Sequence, residues 1–139
     1  MPTSNASMLM MLFACASALF GLNYEGYAAH GLELEAGEYA VDLYHTAAKY
    51  LMWHVFGLIF LALLYDRWPD LRTRSVIGLA AIAFALGIVT FSGGMYRVPF
   101  GGTLGPVIFG AVSFMAGWAL MGLGVVSGWW AGRQASPLS

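Results

Sequence analysis

The sequence predicts an all-α integral membrane protein, a bundle of four transmembrane helices, and three observations carry that prediction. The chain of 139 residues is 60% hydrophobic and 9% charged, against about 25% charged in a typical soluble domain. Its apolar residues gather into four stretches, near 7–29, 45–65, 75–96 and 107–129, each close to the ~20 residues that cross a hydrocarbon core. Only short connections separate them, so residues 1–139 read as a single domain. A backbone in lipid must satisfy its own hydrogen bonds, and each stretch is therefore expected to be helical.

The first stretch needs a check for processing. MLMMLFACASALF resembles the apolar part of a signal peptide, but no Lys or Arg precedes it. LFAC (12–15) is a poor lipoprotein signal, because Phe13 stands where a small residue is wanted. An uncleaved first span is expected. The lone cysteine, Cys15, has no internal disulfide partner and fits no zinc spacing.

HGLELEAGEYAVD (30–42) is acidic, and a helix beginning near Glu38 is expected to run unbroken into the second span. DRWPDLRTR (66–74) is basic, and RVPFGGTLGP (97–106) is a Gly/Pro turn. Pro69 and Pro106 both suit helix starts. The third and fourth spans are rich in small residues, which let helix backbones approach closely in lipid. Ala83 and Gly87 are four apart, Gly93 and Gly94 follow Ser92, Gly117 lies mid-span, and Gly124 and Gly128 form a GxxxG. These glycines are expected to pack within the bundle, or against a second copy or a larger host complex.

Orientation follows from the cations. Arg67, Arg72 and Arg74 share one loop and Arg133 follows the last span, whereas Glu33, Glu35, Glu38 and Asp42 fall on the other side with Arg97. Both termini are expected to be cytoplasmic. Trp68, Trp129 and Trp130 then sit at the cytoplasmic boundary, as an aromatic belt requires. A net charge of −1 without a Lys/Arg-rich run excludes a nucleic-acid partner.

The candidate site is a set of polar residues in or near the outer half of the bundle: Glu25, His30, His45, Lys49 and His54. At a ~1.5 Å rise per residue, Glu25 and Lys49 each lie about 5–6 Å inside the outer boundary. Antiparallel neighbours at matched depth can pair. A lone charge at a helix centre costs about 3 kcal/mol, somewhat less near the interface, and a partner offsets part of that. The other arrangement open to Lys49 is to snorkel on its long stem.

His54 lies deeper, about 12 Å in by the same rise. It is either a neutral histidine hydrogen-bonded across the bundle, to Ser92, Thr90 or Tyr96, or a metal, haem or proton-relay group with His30 as companion. His45 and His54 are nine residues apart, on opposite helix faces, and no His/Glu pair shows the spacing of a helical metal motif. No cofactor is expected, with metal or haem at His30 and His54 left open. There is no P-loop, GxGxxG after a strand, HExxH or nucleophile elbow, so no catalytic residue is assigned and the sequence does not ask for an enzyme.

YAAHGLE (27–33), KYLMWH (49–54), FSGGMY (91–96) and VSFMAGWALM (112–121) together resemble a family of small bacterial membrane proteins. This is domain-of-unknown-function family 423, the YgdD-like inner-membrane proteins, with transmembrane protein 256 as the eukaryotic relative. Members read approximately GAFGAHGL, RYQMYH, FSGSLY and SFLAGWALM in that order, and the resemblance spans nearly the whole chain. It implies a four-helix protein of the bacterial inner (plasma) membrane and no established activity. By position it implies a common polar cluster of His30, Lys49, Tyr50, His54, Ser92 and Tyr96, with Gly93. The chain departs from the family at Glu25, usually glycine, at Leu51, usually glutamine, and at GTLGPVIFG, where the family has Thr-Pro-x-Gly-Gly.

Two functions are weighed. One is a non-enzymatic accessory subunit of a larger membrane assembly, whose partners are the lipid bilayer and other membrane subunits or itself. The other is a ligand-handling protein whose Glu25, His30, Lys49 and His54 line a pocket open to the outer face. A proton-coupled transporter fits less well, because four short spans lack paired broken helices.

Overall fold

The structure, a computed structural model, describes residues 4–32, 36–68 and 70–134. Glu33, Glu35 and Pro69, which the sequence reading uses, lie outside them. Four helices long and apolar enough to cross a membrane account for most of the described chain: α1 (Asn5–Leu32), α2 (Glu38–Arg67), α3 (Leu71–Phe100) and α4 (Gly105–Gln134). At 28 to 30 residues each is roughly 42–45 Å long, more than the ~30 Å hydrocarbon core. Their ends therefore project into the interfaces.

Local chemistry sets the boundaries. The Ser4 hydroxyl accepts from the Ser7 N–H at the start of α1. The Asp70 carboxylate accepts from the Thr73 N–H at 2.8 Å at the start of α3, a capping bond that also holds Asp70 below the usual carboxylate range. Gly101 ends α3 with φ at 86°, in the left-handed region that favours glycine, and its N–H donates to the Val98 carbonyl. Pro106 occupies the first turn of α4. α2 begins at Glu38 and runs unbroken to Arg67.

Two helices are not regular throughout. α1 ends in a π turn over Ala28–Leu32, and α3 carries one over Ile88–Ser92. Such a turn inserts a residue, rotating everything beyond it by about 100° relative to a regular helix. In α3 the segment so rotated, Gly93–Arg97, contains Tyr96.

α1 packs along α2 and α3 along α4, with α2 against α3 joining the two pairs. Leu58, Leu61, Ile77 and Phe84 are fully buried between them, while Leu9, Leu12, Leu63, Ile82, Ile108 and Met115 point outward, as lipid-facing side chains do. The α3–α4 contact is built on glycine. A Cβ at Gly117 would strike the Phe84 ring, one at Gly87 the Phe114 ring, and one at Gly128 the Trp68 ring. At Gly124 it would come within 2.9 Å of Ile77, and at Gly94 within 3.0 Å of Val107. The GxxxG of α4 is thus used inside the chain. Gly93 is a correction to the packing set: a Cβ there meets nothing within 4 Å, because the π turn points this position away from α4.

At the opposite end from Tyr96, α1 is tied to α2 through Asp66. Its carboxylate accepts from the Ser7 hydroxyl at 2.6 Å and lies 3.3 Å from the Ser4 N–H and 3.9 Å from Arg74. Asp66→Ala removes these acceptors, and a loss of about 2 kcal/mol in SDS-driven unfolding is expected. A loss under ~0.5 kcal/mol means that the α1–α2 contact does not use this carboxylate.

Candidate functional site

His54 is the deepest ionisable side chain of the notional site and is 3% exposed. Its Nδ1 is 2.6 Å from the Tyr50 carbonyl, one turn back on α2, and its Nε2 accepts from the Trp118 indole N–H at 3.1 Å. The two contacts fix one neutral tautomer, protonated on Nδ1. The imidazole stacks on Phe114 with centroids 3.4 Å apart, and meets Phe84 edge-on at 5.2 Å. So His54 joins α2 to α4 through Trp118, not through Ser92, Thr90 or Tyr96. Both nitrogens are engaged, and a metal at Nε2 would have to displace the Trp118 N–H. Ser92, also buried, donates instead to the Ala47 carbonyl at 3.0 Å, clamping α3 to α2.

Three expectations need correction. Glu25 pairs with His45, at 2.7 Å, rather than with Lys49. The reason is register: the antiparallel contacts Ser7–Asp66, Gly21–Leu51 and Glu25–His45 bring Lys49 level with Leu22 and Asn23, about one turn from the match that span ends at 29 and 45 predict. Lys49 is exposed, with its ammonium 5.8 Å from the Trp53 ring. Tyr50 is not part of a buried cluster either: it is 37% exposed, its ring beside Phe91 at 5.0 Å, and it serves His54 through its backbone. His30 is exposed in the π turn ending α1. His30 and His54 are therefore not brought together, and among the described residues no group of three His, Cys, Asp or Glu could hold a metal ion.

What the structure does assemble at the Glu25 end is a tyrosine cluster. Tyr96 stacks on Tyr24 with centroids 4.3 Å apart, and Tyr44 meets both edge-on, at 4.8 Å from Tyr96 and 5.6 Å from Tyr24. The Tyr44 hydroxyl donates to the Tyr96 carbonyl at 3.1 Å. Tyr96 is 7% exposed, and its hydroxyl is buried with no hydrogen-bond partner among the described residues, as is Oε2 of Glu25. An unmet buried hydroxyl costs about 1–3 kcal/mol.

Tyr96 also lines a cavity of about 760 Å³. Its walls come from α1 (Phe13, Ser17, Phe20) and α3 (Ile88, Val89, Tyr96), with Tyr44 and Leu51 of α2 as its floor. It exists because α1 packs on α2 and α3 on α4, leaving α1 and α3 apart. Its rim residues Phe20, Val89 and Phe100 are each about 60% exposed on the lipid-facing side, while Arg97, Gly101 and Gly102 close its polar end. The volume is that of a small-molecule site, mostly apolar with few polar groups. Sequence reasoning missed Tyr24, Tyr44 and Arg97 as one group. The available signal was Tyr24, Tyr27 and Tyr44 flanking the first loop, but only the π turn of α3 brings Tyr96 to them.

A family model described as "Protein of unknown function (DUF423)" matches residues 25–117. The UPF0382 inner membrane protein YgdD of Escherichia coli K12 is 30% identical over 125 residues, covering 86% of this chain and 91% of its own length. The UPF0382 membrane protein YwdK of Bacillus subtilis is 27% identical over 118 residues, covering 81% of this chain and 92% of its own length. The UPF0382 membrane protein SH2409 of Staphylococcus haemolyticus is 25% identical over the same length. No solved structure matches the chain.

Proposed function

The chain belongs to the DUF423 family, as a small multi-pass protein of the bacterial inner membrane, and we propose that it binds a membrane-resident amphiphile between α1 and α3. The cavity of about 760 Å³, lined by Tyr96, carries the reading, together with the buried Tyr96 hydroxyl that has no partner among the described residues. A bound carbonyl, ester or similar acceptor satisfies that hydroxyl, the apolar body fills the space between Phe13, Phe20 and Ile88, and the rim gives lateral entry from lipid. No reacting group or cofactor is assigned. The small-residue motif that favoured an accessory subunit, Gly124 and Gly128, is occupied by Ile77 and Trp68 of the same chain.

We also propose that both termini lie in the cytoplasm. Arg67, Arg72, Arg74 and Arg133 gather at one end, while Glu25, Glu38 and Asp42 lie toward the other with Lys49 and Arg97.

Native mass spectrometry after mild detergent extraction tests the binding. Wild-type protein is expected to retain an amphiphile of discrete mass. Val89→Trp, which fills the cavity from its rim, abolishes retention, whereas Ile82→Trp, at a similarly exposed position two turns away on α3, does not. Tyr96→Phe lowers retention about tenfold, the loss of one hydrogen bond. It leaves the unliganded protein no less stable, because the hydroxyl it removes is unmet. Equal retention in all four proteins, or none in wild type, overturns the proposal.

A further inference from the structure

At the other end of the bundle lies a second concave site, of about 760 Å³, framed by Arg67, Trp68, Trp129 and Arg133 over Gly128 and Gly132. The acidic groups of this end are already engaged. Asp66 is held by Ser7, Ser4 and Arg74, and Asp70 caps α3 through Thr73. Among the described residues of this end Arg67, Arg72 and Arg133 have no carboxylate within ion-pair distance, and of these Arg67 and Arg133 line the same hollow. Arg133 lies over the Trp129 ring at 4.3 Å, which holds the guanidinium in place while its N–H groups stay available. Trp68 rests against Gly128, where a Cβ would collide with its ring, so the hollow has a rigid aromatic wall.

We propose that this hollow binds the headgroup of an anionic phospholipid. Two guanidiniums beside tryptophans mark the depth at which lipid phosphates sit, and arginine matches a phosphate with paired N–H donors. Gly132, where a Cβ would meet nothing within 4 Å, leaves room beneath for the glycerol and the first carbons of the acyl chains. The surrounding positive charge suits an anionic lipid over a zwitterionic one. This site shares no residue with the cavity at Tyr96 and stands or falls separately.

Full-length protein is placed in nanodiscs of mixed phosphatidylglycerol and phosphatidylcholine, and the lipid retained after release into detergent is counted by native mass spectrometry. Wild type is expected to enrich phosphatidylglycerol. Arg67→Gln and Arg133→Gln each cut that enrichment about fivefold, and the double variant about 25-fold. Arg72→Gln removes the same charge from the same end but lies outside the hollow, and leaves enrichment unchanged. Inorganic phosphate at millimolar concentration fails to displace the lipid. Unfolding midpoints in phosphatidylcholine alone confirm that each variant is folded; should one not be, Arg67→Lys and Arg133→Lys replace it, and each keeps the preference in part. No enrichment in wild type, an equal loss in Arg72→Gln, or displacement by free phosphate overturns the proposal.

Discussion

Gly110→Ala is expected to separate α3 from α4 and to remove about 3 kcal/mol of stability against SDS-driven unfolding, at the upper end of overpacking effects. A methyl at Gly110 would fall within 2.6–2.7 Å of Cβ and Cα of Phe91, and closer still to its backbone nitrogen. Backbone atoms cannot rotate aside. At Gly117 and Gly87 the obstacle is a phenyl ring, Phe84 or Phe114, which can shift at lower cost, so alanine there is expected to cost about 1–2 kcal/mol. Phe91 lies in the π turn of α3, and moving it would also disturb Ser92, whose hydroxyl reaches the Ala47 carbonyl. Gly122→Ala is the control. A Cβ there meets nothing within 4 Å, and the substitution is expected to stabilise α4 by up to about 1 kcal/mol through helix propensity. Equal effects at Gly110 and Gly122 would mean that α3 and α4 do not approach this closely.

His54→Ala carries the second large effect, a loss of about 3 kcal/mol by the same measurement. In lipid a hydrogen bond between helices averages only about 0.6 kcal/mol, so the Trp118 contact alone cannot supply that figure. Most of it is packing: the imidazole fills the space between Phe114 and Phe84, and alanine leaves that space empty. His54→Phe tests the division. It restores the volume and leaves the Trp118 N–H without its acceptor, but Trp118 is 46% exposed and can turn outward, so the loss is expected to fall to about 1 kcal/mol. Adding Trp118→Phe to His54→Phe removes the orphaned donor and should bring stability close to wild type. A His54→Phe variant as unstable as His54→Ala would show instead that the polar contacts dominate.

These two residues also show what could be read from sequence. His54 stood out because a histidine within an apolar run must have a partner, and a hydrogen-bonded neutral imidazole was one of the two readings open to it. Its partner did not follow, because choosing Trp118 over Ser92 or Tyr96 needs the rotation of α4 about its own axis, which an almost uniformly apolar helix does not encode. The four spans were legible from the lengths of the apolar runs, and the start of α2 at Glu38 matches the helix expected to run into the second of them. The partner of Glu25 was not legible: matching depths from span ends at 29 and 45 displaced the antiparallel register by about one turn, exchanging His45 for Lys49. Gly110 was hidden for another reason. It belongs to no small-xxx-small pair with an evident mate, and its role exists only because a π turn brings the backbone of Phe91 against it. That same turn sets Tyr96 beside Tyr24 and Tyr44, so the tyrosine wall of the cavity depends on a single inserted residue with no sequence signature here.

Photo-crosslinking from inside that cavity is the most direct test of whether it holds a ligand. A benzophenone amino acid replaces Phe20, on the cavity rim, and in a second protein Leu63, which faces outward on α2; both are irradiated in native membranes and digested for mass spectrometry. Occupation of the cavity predicts one adduct of defined mass at position 20, lost when Val89→Trp is added, and the ordinary mixture of membrane phospholipids at position 63. The same mixture at both positions, unaffected by Val89→Trp, would contradict it.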